Sequence, residues 1–343
     1  MSGRLRPLLH YLVADLAHYS GLLRLRSFYR RRILRKQEVY ILGLHRVLTD
    51  EERTESNSPD GMVMRERTFV KMLEYISRHC RVVSFDAFLT NTGNDFDFSK
   101  PWCLLTFDDG WRDNHTKAYP WLRKFNLPAL VFLTTGLIQS QELFWIERLA
   151  KAWKHSSRRA EIQSRLRSLL PTRDQLNSAE RIIEYLKHMP SKKRQQILDL
   201  LLPSEKSHDQ RDMVDKMLTW DQVIEMSRNG IEFGSHTITH PLLTFEDYFT
   251  VNHELCASKQ ILEEKLDKKV RAFAYPNGDC DLRVRRQVRQ VGYECAFSTR
   301  PGSHQGGHDL FNIQRIVLHE GNVTGPGGQF SPAMFSLTVL RWS

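Results

Sequence analysis

Two adjacent carboxylates, Asp108 and Asp109, follow the short apolar run from Trp102 to Phe107. An apolar run of this length that stops at a turn signal is typical of a buried strand. The two carboxylates would then lie at the carboxyl end of the strand, where α/β proteins place their chemistry. Gly110 permits the following loop to bend, so that both carboxylates face one pocket. Taken alone, the Asp-Asp-Gly sequence is more often a solvated turn than a functional site.

Two histidines far downstream, His236 and His240, change that balance. They stand four residues apart after a second strand-like run at residues 231–233. At this spacing both imidazoles fall on one side of a helical turn and suit a single metal ion. Two histidines and one carboxylate leave a coordination position open for water, which is the composition of a catalytic rather than a structural metal site. The residues therefore indicate a catalytic metal site.

The two stretches resemble the first two motifs of the polysaccharide deacetylases, the NodB-homology proteins of carbohydrate esterase family 4. The first is TFDDG at residues 106–110 and the second is HTITHP at residues 236–241. Both occur in the family's order, each after a predicted strand, and the resemblance extends over roughly residues 39–322.

The resemblance implies a role for each polar residue of these two motifs. Asp109, His236 and His240 are expected to bind one divalent ion, Zn²⁺ by preference. Asp108 is expected to remain off the metal and to act as the general base that takes a proton from water. The implied reaction is hydrolysis of the acetamido group of an N-acetylated sugar, with acetate and an amino sugar as products.

The third family motif is altered in this chain. Residues 274–278 (AYPNG) take the place of an arginine followed by Pro-Pro-Tyr-Gly, with Ala274 where the arginine would stand. The resemblance implies that Tyr275 and Asn277 belong to the oxyanion and substrate-binding site. Asn277 would act through its backbone N–H, which requires no particular side chain. Arg315, at the end of another strand, is our candidate for the missing arginine that orients the catalytic aspartate.

The general acid is assigned from the final family motif, a Leu-His pair after an apolar strand. Leu318 and His319 fit this motif, so the resemblance implies that His319 protonates the departing amine. The family's Asp-x-x-Asp-Trp motif, which usually tunes that histidine, is not visible near Asp309. Another histidine, His45, ends the predicted first strand, and we interpret it as a structural residue rather than a pocket residue.

The remaining apolar runs define the expected fold and its domains. About eight predicted strands, mostly separated by amphipathic helices, indicate an α/β fold, namely an irregular, partly closed (β/α) barrel of about seven to eight mostly parallel strands. We expect this NodB-like domain at residues 37–325, interrupted by a helical insertion at 143–218, and an irregular tail at 326–343. The insertion covers the substrate cleft, contacts a partner, or is a solvated helical excursion.

The first 36 residues combine apolar side chains at near-helical spacing with eight arginines. A basic amphipathic helix of this kind either lies on an anionic membrane surface or packs on its own domain. No apolar run is long enough to span a bilayer, and no signal peptide is evident.

Charge and cysteine usage limit the partners and the compartment. The chain has 343 residues and a net charge of +10, which favours an anionic neighbour such as a membrane or an acidic glycan. Nucleic acid ranks last, because no recognisable nucleic-acid module carries the charge. The five cysteines lack CxxC spacing and indicate reduced thiols. We therefore expect a cytoplasmic protein, either free or peripheral on the inner face of the cytoplasmic membrane.

These observations predict a metal-dependent N-deacetylase acting on a polysaccharide, an oligosaccharide or a lipid-linked glycan. Two alternatives stay open. A related hydrolase of a non-sugar amide would use the same ligands in a different cleft. A catalytically silent glycan-binding domain is compatible with the altered third motif, although the presence of both aspartates and both histidines argues against it.

Overall fold

The computed structural model describes residues 2–34, 38–90, 98–140, 143–169, 176–202, 214–305 and 307–340. Parts of the predicted segments lie outside these ranges: residues 35–36 of the N-terminal segment, 141–142 just before the insertion, 170–175 and 203–213 within it, and 341–343 of the tail.

A curled, mostly parallel β-sheet forms the centre of the fold. Its strands are β1 (Glu38–Leu44), β4 (Arg81–Val82), β5 (Trp102–Phe107), β6 (Leu130–Leu133), β7 (Glu232–Ser235), β8 (Ala272–Ala274), β9 (Cys295–Phe297), β10 (His304–Gln305) and β11 (Ile316–Val317). A separate parallel pair consists of β2 (Arg46–Leu48) and β3 (Val63–Arg65).

The strand order makes this sheet a partly closed barrel. The order is β10-β1-β5-β6-β7-β8-β9, with β11 paired to β1 and β4 paired to β5. Each of these pairings is parallel except that of β10 with β1. A parallel bridge from Phe297 to Ile313 joins β9 to the segment that leads into β11, and β11 returns to β1. The predicted (β/α) barrel is confirmed.

The helices surround this sheet and alternate with its strands. They are α1 (Ser2–Tyr19), α2 (Leu22–Phe28), α3 (Asp50–Glu55), α4 (Glu66–His79), α5 (Phe85–Thr90), α6 (Tyr119–Lys124), α7 (Trp145–Lys154), α8 (Ser156–Leu169), α9 (Ala179–Lys187), α10 (Ser191–Leu201), α11 (Trp220–Arg228), α12 (Tyr248–Leu266), α13 (Leu282–Gln290), α14 (Glu320–Val323) and α15 (Pro332–Leu340). Among the described residues, none of these helices is both long and apolar enough to cross a membrane.

The apolar pattern of the strands produces two core layers. Successive strand residues point to opposite faces of a sheet, and in β1 Leu42 packs in the layer that includes α4, α12 and α13. Its neighbour Ile41 packs with Leu104, Phe132 and Phe297 in the barrel interior. Both layers are buried, which explains why the strands are continuous apolar runs in the sequence.

Helices α7 to α10 form the described part of the predicted insertion. They share a buried apolar cluster that includes Leu149, Ile162, Ile182 and Leu198. Trp111, from the loop after β5, belongs to the same cluster and is fully buried. The insertion therefore has its own core, and that core is joined to the barrel next to the Asp-Asp-Gly loop.

The C-terminal tail differs from its predicted irregular form. Residues 332–340 form α15, which packs against α1. Met334 and Ala333 contact Ala14 of α1, while Phe335 belongs to the main core. Because α15 is apolar nearly all round, its sequence has no helical periodicity, and burial between α1 and the barrel stabilises it instead.

Candidate metal centre and active-site cavity

The register of the parallel strands brings the functional residues to one edge of the sheet. Strands β1 and β5 end in register, and so do β6 and β7. The residues that come next in the chain are His45 after β1, Asp108 after β5 and His236 after β7. This edge is the carboxyl end of the sheet, where side chains on separate loops converge.

Asp109, His236 and His240 form one cluster of potential metal ligands. The Nε2 atoms of both histidines lie 3.6 Å from Oδ1 of Asp109. Ligands bound tetrahedrally at about 2.0–2.1 Å from Zn²⁺ stand about 3.3–3.5 Å apart. The distances and the donor types therefore fit a divalent ion such as Zn²⁺, and two ring nitrogens with one carboxylate leave room for a water ligand.

Hydrogen bonds behind the ligands orient them toward the same point. His236 Nδ1 lies 2.8 Å from the carbonyl oxygen of Ala274, which fixes the proton on Nδ1 and leaves the Nε2 lone pair for a metal. The indole Nε1 of Trp111 donates to Oδ2 of Asp109 at 3.0 Å. Outer hydrogen bonds of this kind are typical of metal sites.

Burial keeps His240 in the form that can bind a metal. Desolvation lowers the pKa of His240 well below its usual value, and the nearby His236 and Arg194 lower it further. Its ring packs edge-on against Phe144 at 5.0 Å between centroids. A neutral imidazole is the form that ligates divalent ions.

The loop that carries the two histidines is held by Glu254 of α12. Its Oε2 accepts hydrogen bonds from the backbone N–H groups of Ile238 and Thr239, at 2.7 and 3.0 Å, and its Oε1 accepts one from the Thr239 hydroxyl. Sequence reasoning missed Glu254, because nothing near it in the chain connects it to the histidine motif.

Strained backbone is concentrated at this edge. Seven non-glycine residues in the described ranges have a positive φ, and Asp109, Thr237, His240 and Asn277 are four of them. Such conformations cost about 1–3 kcal/mol each and persist where surrounding contacts impose them, commonly at functional sites.

Arg315 lies against Asp108, in the position that the sequence suggested. Its two terminal nitrogens reach the two carboxylate oxygens at 2.6 and 2.7 Å, and both side chains are buried. Burial alone would raise the pKa of Asp108, but Arg315 and, more weakly, His236 outweigh it and hold that pKa well below its usual range. Asp108 is therefore a fixed anion beside the candidate metal ligands.

His45 and His319 both lie in surroundings that differ from those expected. His45 lines the cavity, its Nε2 lies 4.0 Å from Oδ2 of Asp108, and its buried Nδ1 has no hydrogen-bond partner in the described part of the chain. It is therefore not the satisfied structural residue that we expected. His319 instead caps α14, accepting from the Gly321 N–H at 3.2 Å, and Val317 rather than His319 lines the cavity.

Only one of the two residues expected at the substrate from the altered third motif lines the cavity. Asn277 lines the cavity. Tyr275, which we expected at the substrate, is fully buried, and its hydroxyl donates to the carbonyl oxygen of Phe311 at 2.9 Å. Its side chain packs edge-on against Phe273 in the core. Tyr275 continues the alternation of β8, in which Phe273 packs in the layer below the helices and Ala274 in the barrel interior, so the Tyr275 side chain lies in the helix layer rather than at the cavity.

A cavity of about 250 Å³ opens over the cluster and is bounded by both the barrel and the insertion. The insertion contributes Phe144, Trp145, Ile146, Glu147 and Lys187 to its wall. Four of these residues, at 144–147, belong to the start of the insertion, and Lys187 belongs to α9. Their individual contributions were not evident from the sequence, because they depend on how the insertion folds back over the barrel.

Comparison with known proteins was made at the level of sequence and of fold. Residues 97–296 match the sequence profile of the polysaccharide deacetylase family. A relative from Bacillus subtilis (strain 168), YxkH, is named as a polysaccharide deacetylase and is 20% identical over 231 residues. The match covers 67% of this chain and 56% of that relative.

Solved structures share the fold at low sequence identity. The deacetylase PplD of Streptococcus pyogenes, solved in complex with acetate, has a TM-score of 0.56 at 19% identity and covers 86% of this chain and 99% of its own. A de-N-acetylase from Aggregatibacter actinomycetemcomitans has a TM-score of 0.57 at 14% identity and covers 88% of this chain and 100% of its own.

The partly closed barrel, with an aspartate and two histidines at the carboxyl ends of its strands, is a NodB-like (β/α) barrel. The profile match, which covers more than half of the chain, shows which family within that class applies. The chain belongs to the polysaccharide deacetylase family, whose members are hydrolases acting on carbon–nitrogen bonds.

Proposed function

We propose that this protein is a metal-dependent N-deacetylase that removes acetyl groups from N-acetylated sugars of a glycan. The observation that carries the proposal is the cluster of Asp109, His236 and His240 beside the buried pair of Asp108 and Arg315. This arrangement combines a site for one divalent ion with a carboxylate that remains ionised, and both lie in one cavity.

Asp109, His236 and His240 are the residues that would hold the ion, with Zn²⁺ as the expected metal. Such an ion supplies polarisation of an acetamide carbonyl and activation of a water molecule at neutral pH. Their buried positions, at 2% exposure for both Asp109 and His236, favour strong ligation over solvation of the free side chains.

Asp108 is the proposed general base. Its carboxylate accepts the proton of the attacking water, while Arg315 keeps the carboxylate anionic and fixed in orientation. The backbone N–H of Asn277, at the cavity wall, is the proposed donor to the oxyanion that develops on the acetamide oxygen.

For the acid that protonates the departing amine, we propose His45 in place of His319. His45 lines the cavity within 4.0 Å of Asp108, and its Nδ1 is unengaged in the described ranges. His319 is committed to capping α14 and does not line the cavity. A proton carrier must reach the leaving group directly or through one water, which favours His45.

The substrate class follows from the size and lining of the cavity. About 250 Å³ is close to the lower end of the usual range for small-ligand sites, and accommodates one sugar unit with its acetamido group. Phe144, Trp145 and Leu242 give the wall apolar faces against which a sugar ring can pack. The rest of a polysaccharide, an oligosaccharide or a lipid-linked glycan would extend out of the opening.

The proposal is tested by measuring acetate release from a panel of N-acetylhexosamine oligomers and lipid-linked N-acetyl sugars. Zn²⁺-loaded wild type should release acetate, and Asp108→Asn should release at least about 100-fold less, because the base is lost while the shape is kept. Equal release by both proteins would remove Asp108 as the base. No release by either protein, with metal bound, would favour a non-sugar amide substrate or a silent glycan-binding domain.

We also propose that an anionic membrane surface binds the N-terminal helices. Ten large apolar side chains at residues 12–34 are exposed, among them Leu16 at 70% and Leu25 at 64%. The first 36 residues contain eight arginines and one lysine against a single aspartate. Apolar insertion combined with basic charge is the pattern of a helix that lies in an anionic interface. The opposite face packs on the protein's own domain through Ala14 and α15.

This surface is consistent with a cytoplasmic enzyme on the inner face of the cytoplasmic membrane, which is the localisation that we propose. None of the five cysteines forms a disulfide bond, which agrees with a reducing compartment. A lipid-linked N-acetylated sugar would be presented to the cavity at such a surface.

A further inference from the structure

Glu147 of α7 is a buried carboxyl group in the wall of the active-site cavity, and no role above accounts for it. It lines the cavity and is 1% exposed. Its Oε1 accepts a hydrogen bond from the Ser58 hydroxyl at 2.8 Å. Its Oε2 is buried and has no hydrogen-bond partner within the described residues. A buried polar atom without a partner is costly and points to a ligand that completes it.

The groups around Glu147 do not supply a cation for it. Arg46 contacts the same serine, donating to Ser58 Oγ at 2.8 Å, but its guanidinium is engaged by Asp113 and Asp215. Lys154, on the same helix, donates to a backbone carbonyl oxygen. The cavity also contains the cluster of potential metal ligands, Asp108, His45 and Lys187. In the described ranges, none of these titratable groups forms an ion pair with Glu147.

These surroundings favour the neutral carboxylic acid. Burial raises the pKa of Glu147 to about 8, an effect that the Ser58 hydrogen bond and Arg46 only partly oppose. Because Ser58 donates to Oε1, the proton of the neutral acid belongs on Oε2. The unpartnered atom is therefore a buried O–H donor on a residue that lines the cavity.

We propose that Glu147 is a specificity-determining residue whose Oε2–H donates a hydrogen bond to a neutral oxygen, such as a hydroxyl, of the sugar bound in the cavity. This inference rests on the proposed function. It deepens that proposal, because Glu147 would select substrates that present an oxygen acceptor toward the insertion. A site that donates a buried hydrogen bond strongly rejects an analogue that lacks the acceptor, because the donor is then left unpaired.

The test compares Glu147→Gln, whose amide keeps a donor at every pH, with Glu147→Ala, which has none. The kinetic parameters are measured on the best N-acetylated oligomer at about pH 7 and at about pH 9.5, above the pKa of the acid. Glu147→Gln should keep the wild-type KM of pH 7 at both pH values. The wild-type KM should rise by about tenfold at the higher pH, and Glu147→Ala should show a KM raised by about tenfold or more at both, with kcat little changed.

Glu246→Gln is the matched control. Glu246 also has a raised pKa because of burial, but its Oε1 accepts from the Ser191 N–H and it lies outside the cavity lining. This variant should keep both the wild-type KM and its pH dependence. If Glu147→Gln follows the wild-type pH dependence, or if Glu147→Ala keeps the wild-type KM, the inference is wrong while the proposed deacetylase function stands.

A binding measurement separates this inference from the proposed function. Calorimetric titration of the same oligomer into metal-loaded Asp108→Asn protein requires no turnover. Adding Glu147→Ala should weaken binding about tenfold or more, whereas adding Glu147→Gln should not. Binding could be lost with Glu147→Ala alone while the wild-type protein releases no acetate. That combination would support the Glu147 site and overturn the deacetylase proposal. Absence of binding by every protein would overturn both.

Discussion

At the scale of single residues, the candidate site depends on charges that are buried and held by a partner. Asp108 is an anion because Arg315 holds it with two hydrogen bonds. Asp109 is oriented by a hydrogen bond from the indole of Trp111. We propose that Arg315, which directly precedes β11 and contacts Asp108, provides the guanidinium that Ala274 cannot. The function of an altered motif can thus be kept when the replacement side chain reaches the same carboxylate.

Replacing Arg315 tests whether it sets the ionisation of Asp108. In Arg315→Met, burial would act on Asp108 without the opposing guanidinium, so its pKa should rise. The acid limb of the pH–activity profile should then move to higher pH, and kcat should fall by about 100-fold. Removing one partner of a buried pair should also lower the free energy of unfolding by about 3–5 kcal/mol. A profile that keeps its acid limb would contradict this role.

The contributions of His45 and His319 to catalysis can be compared directly. His45→Gln should reduce kcat by about 100-fold, because the proposed proton carrier is removed, whereas His319→Gln should reduce kcat by less than about threefold. Steady-state acetate release from both variants provides the measurement. A large loss in His319→Gln with a small loss in His45→Gln would return the acid role to His319.

Glu147 also makes a prediction about stability. Between its ordinary value of 4.5 and its raised pKa of about 8, the folded protein binds a proton at Glu147 that the unfolded chain does not bind. Stability therefore falls as pH rises through this window. Compared with wild type, Glu147→Gln should gain about 1.4 kcal/mol of unfolding free energy for each pH unit. Urea denaturation across this pH range measures the difference, and parallel curves for the two proteins would exclude a raised pKa.

At the scale of elements, the barrel strands align the site and the neighbouring helices fix its loops. Helix α12 provides Glu254, which accepts three hydrogen bonds from the loop that carries the histidines. Helix α7 provides part of the cavity wall, and α9 provides Lys187. The insertion is thus part of the cavity, although it is absent from the motifs that identify the family.

The contribution of α12 can be isolated through the affinity for metal. Glu254→Gln weakens the acceptor that holds the loop, so Zn²⁺ affinity should fall by about 10- to 100-fold, while kcat at saturating Zn²⁺ should stay close to wild type. Glu264→Gln, on the exposed side of the same helix, is the control. Competition with a chelator measures the affinity, and equal affinities for the two variants would refute the role of Glu254.

At the scale of the whole molecule, sequence patterns predicted what is local and missed what is long-range. The predicted strands occur, and most of them are buried apolar runs such as β1, β5 and β6, whereas β4 begins with an exposed arginine. Thr219 and Gln222 form a capping box at the start of α11, which is another local feature because the two residues stand only three apart. The short strands β2, β3 and β10 were missed, because polar residues such as Arg46, Arg65 and His304 interrupt any apolar run there.

The same distinction explains the parts of the site that the sequence did not define. Asp109, His236 and His240 follow strands directly and are recognisable from their spacing. Glu147 and Glu254 reach the site only through the packing of helices that are distant in sequence. The environment of such residues depends on tertiary contacts, which no local pattern encodes.

The N-terminal surface is a property of the molecule as a whole and is tested by sedimentation with lipid vesicles. Wild type should bind vesicles that contain phosphatidylglycerol, and the combined change Leu12→Ser, Leu16→Ser and Leu25→Ser should weaken binding by at least about tenfold. Release of acetate from a soluble oligomer should not change. The control is Leu200→Ser with Leu282→Ser, two leucines that are exposed elsewhere, at 54% and 64%. Equal binding by both variants would exclude this surface.

The central claim is that Asp109, His236 and His240 hold one metal ion on which acetate release depends. The most direct measurement determines metal content and acetate release on the same preparations of wild type and of His236→Ala, each stripped and then titrated with Zn²⁺. We predict one ion per wild-type chain, acetate release that rises in proportion to occupancy, and loss of both in His236→Ala. Full acetate release from metal-free wild type, or one tightly bound ion retained in His236→Ala, would contradict the account.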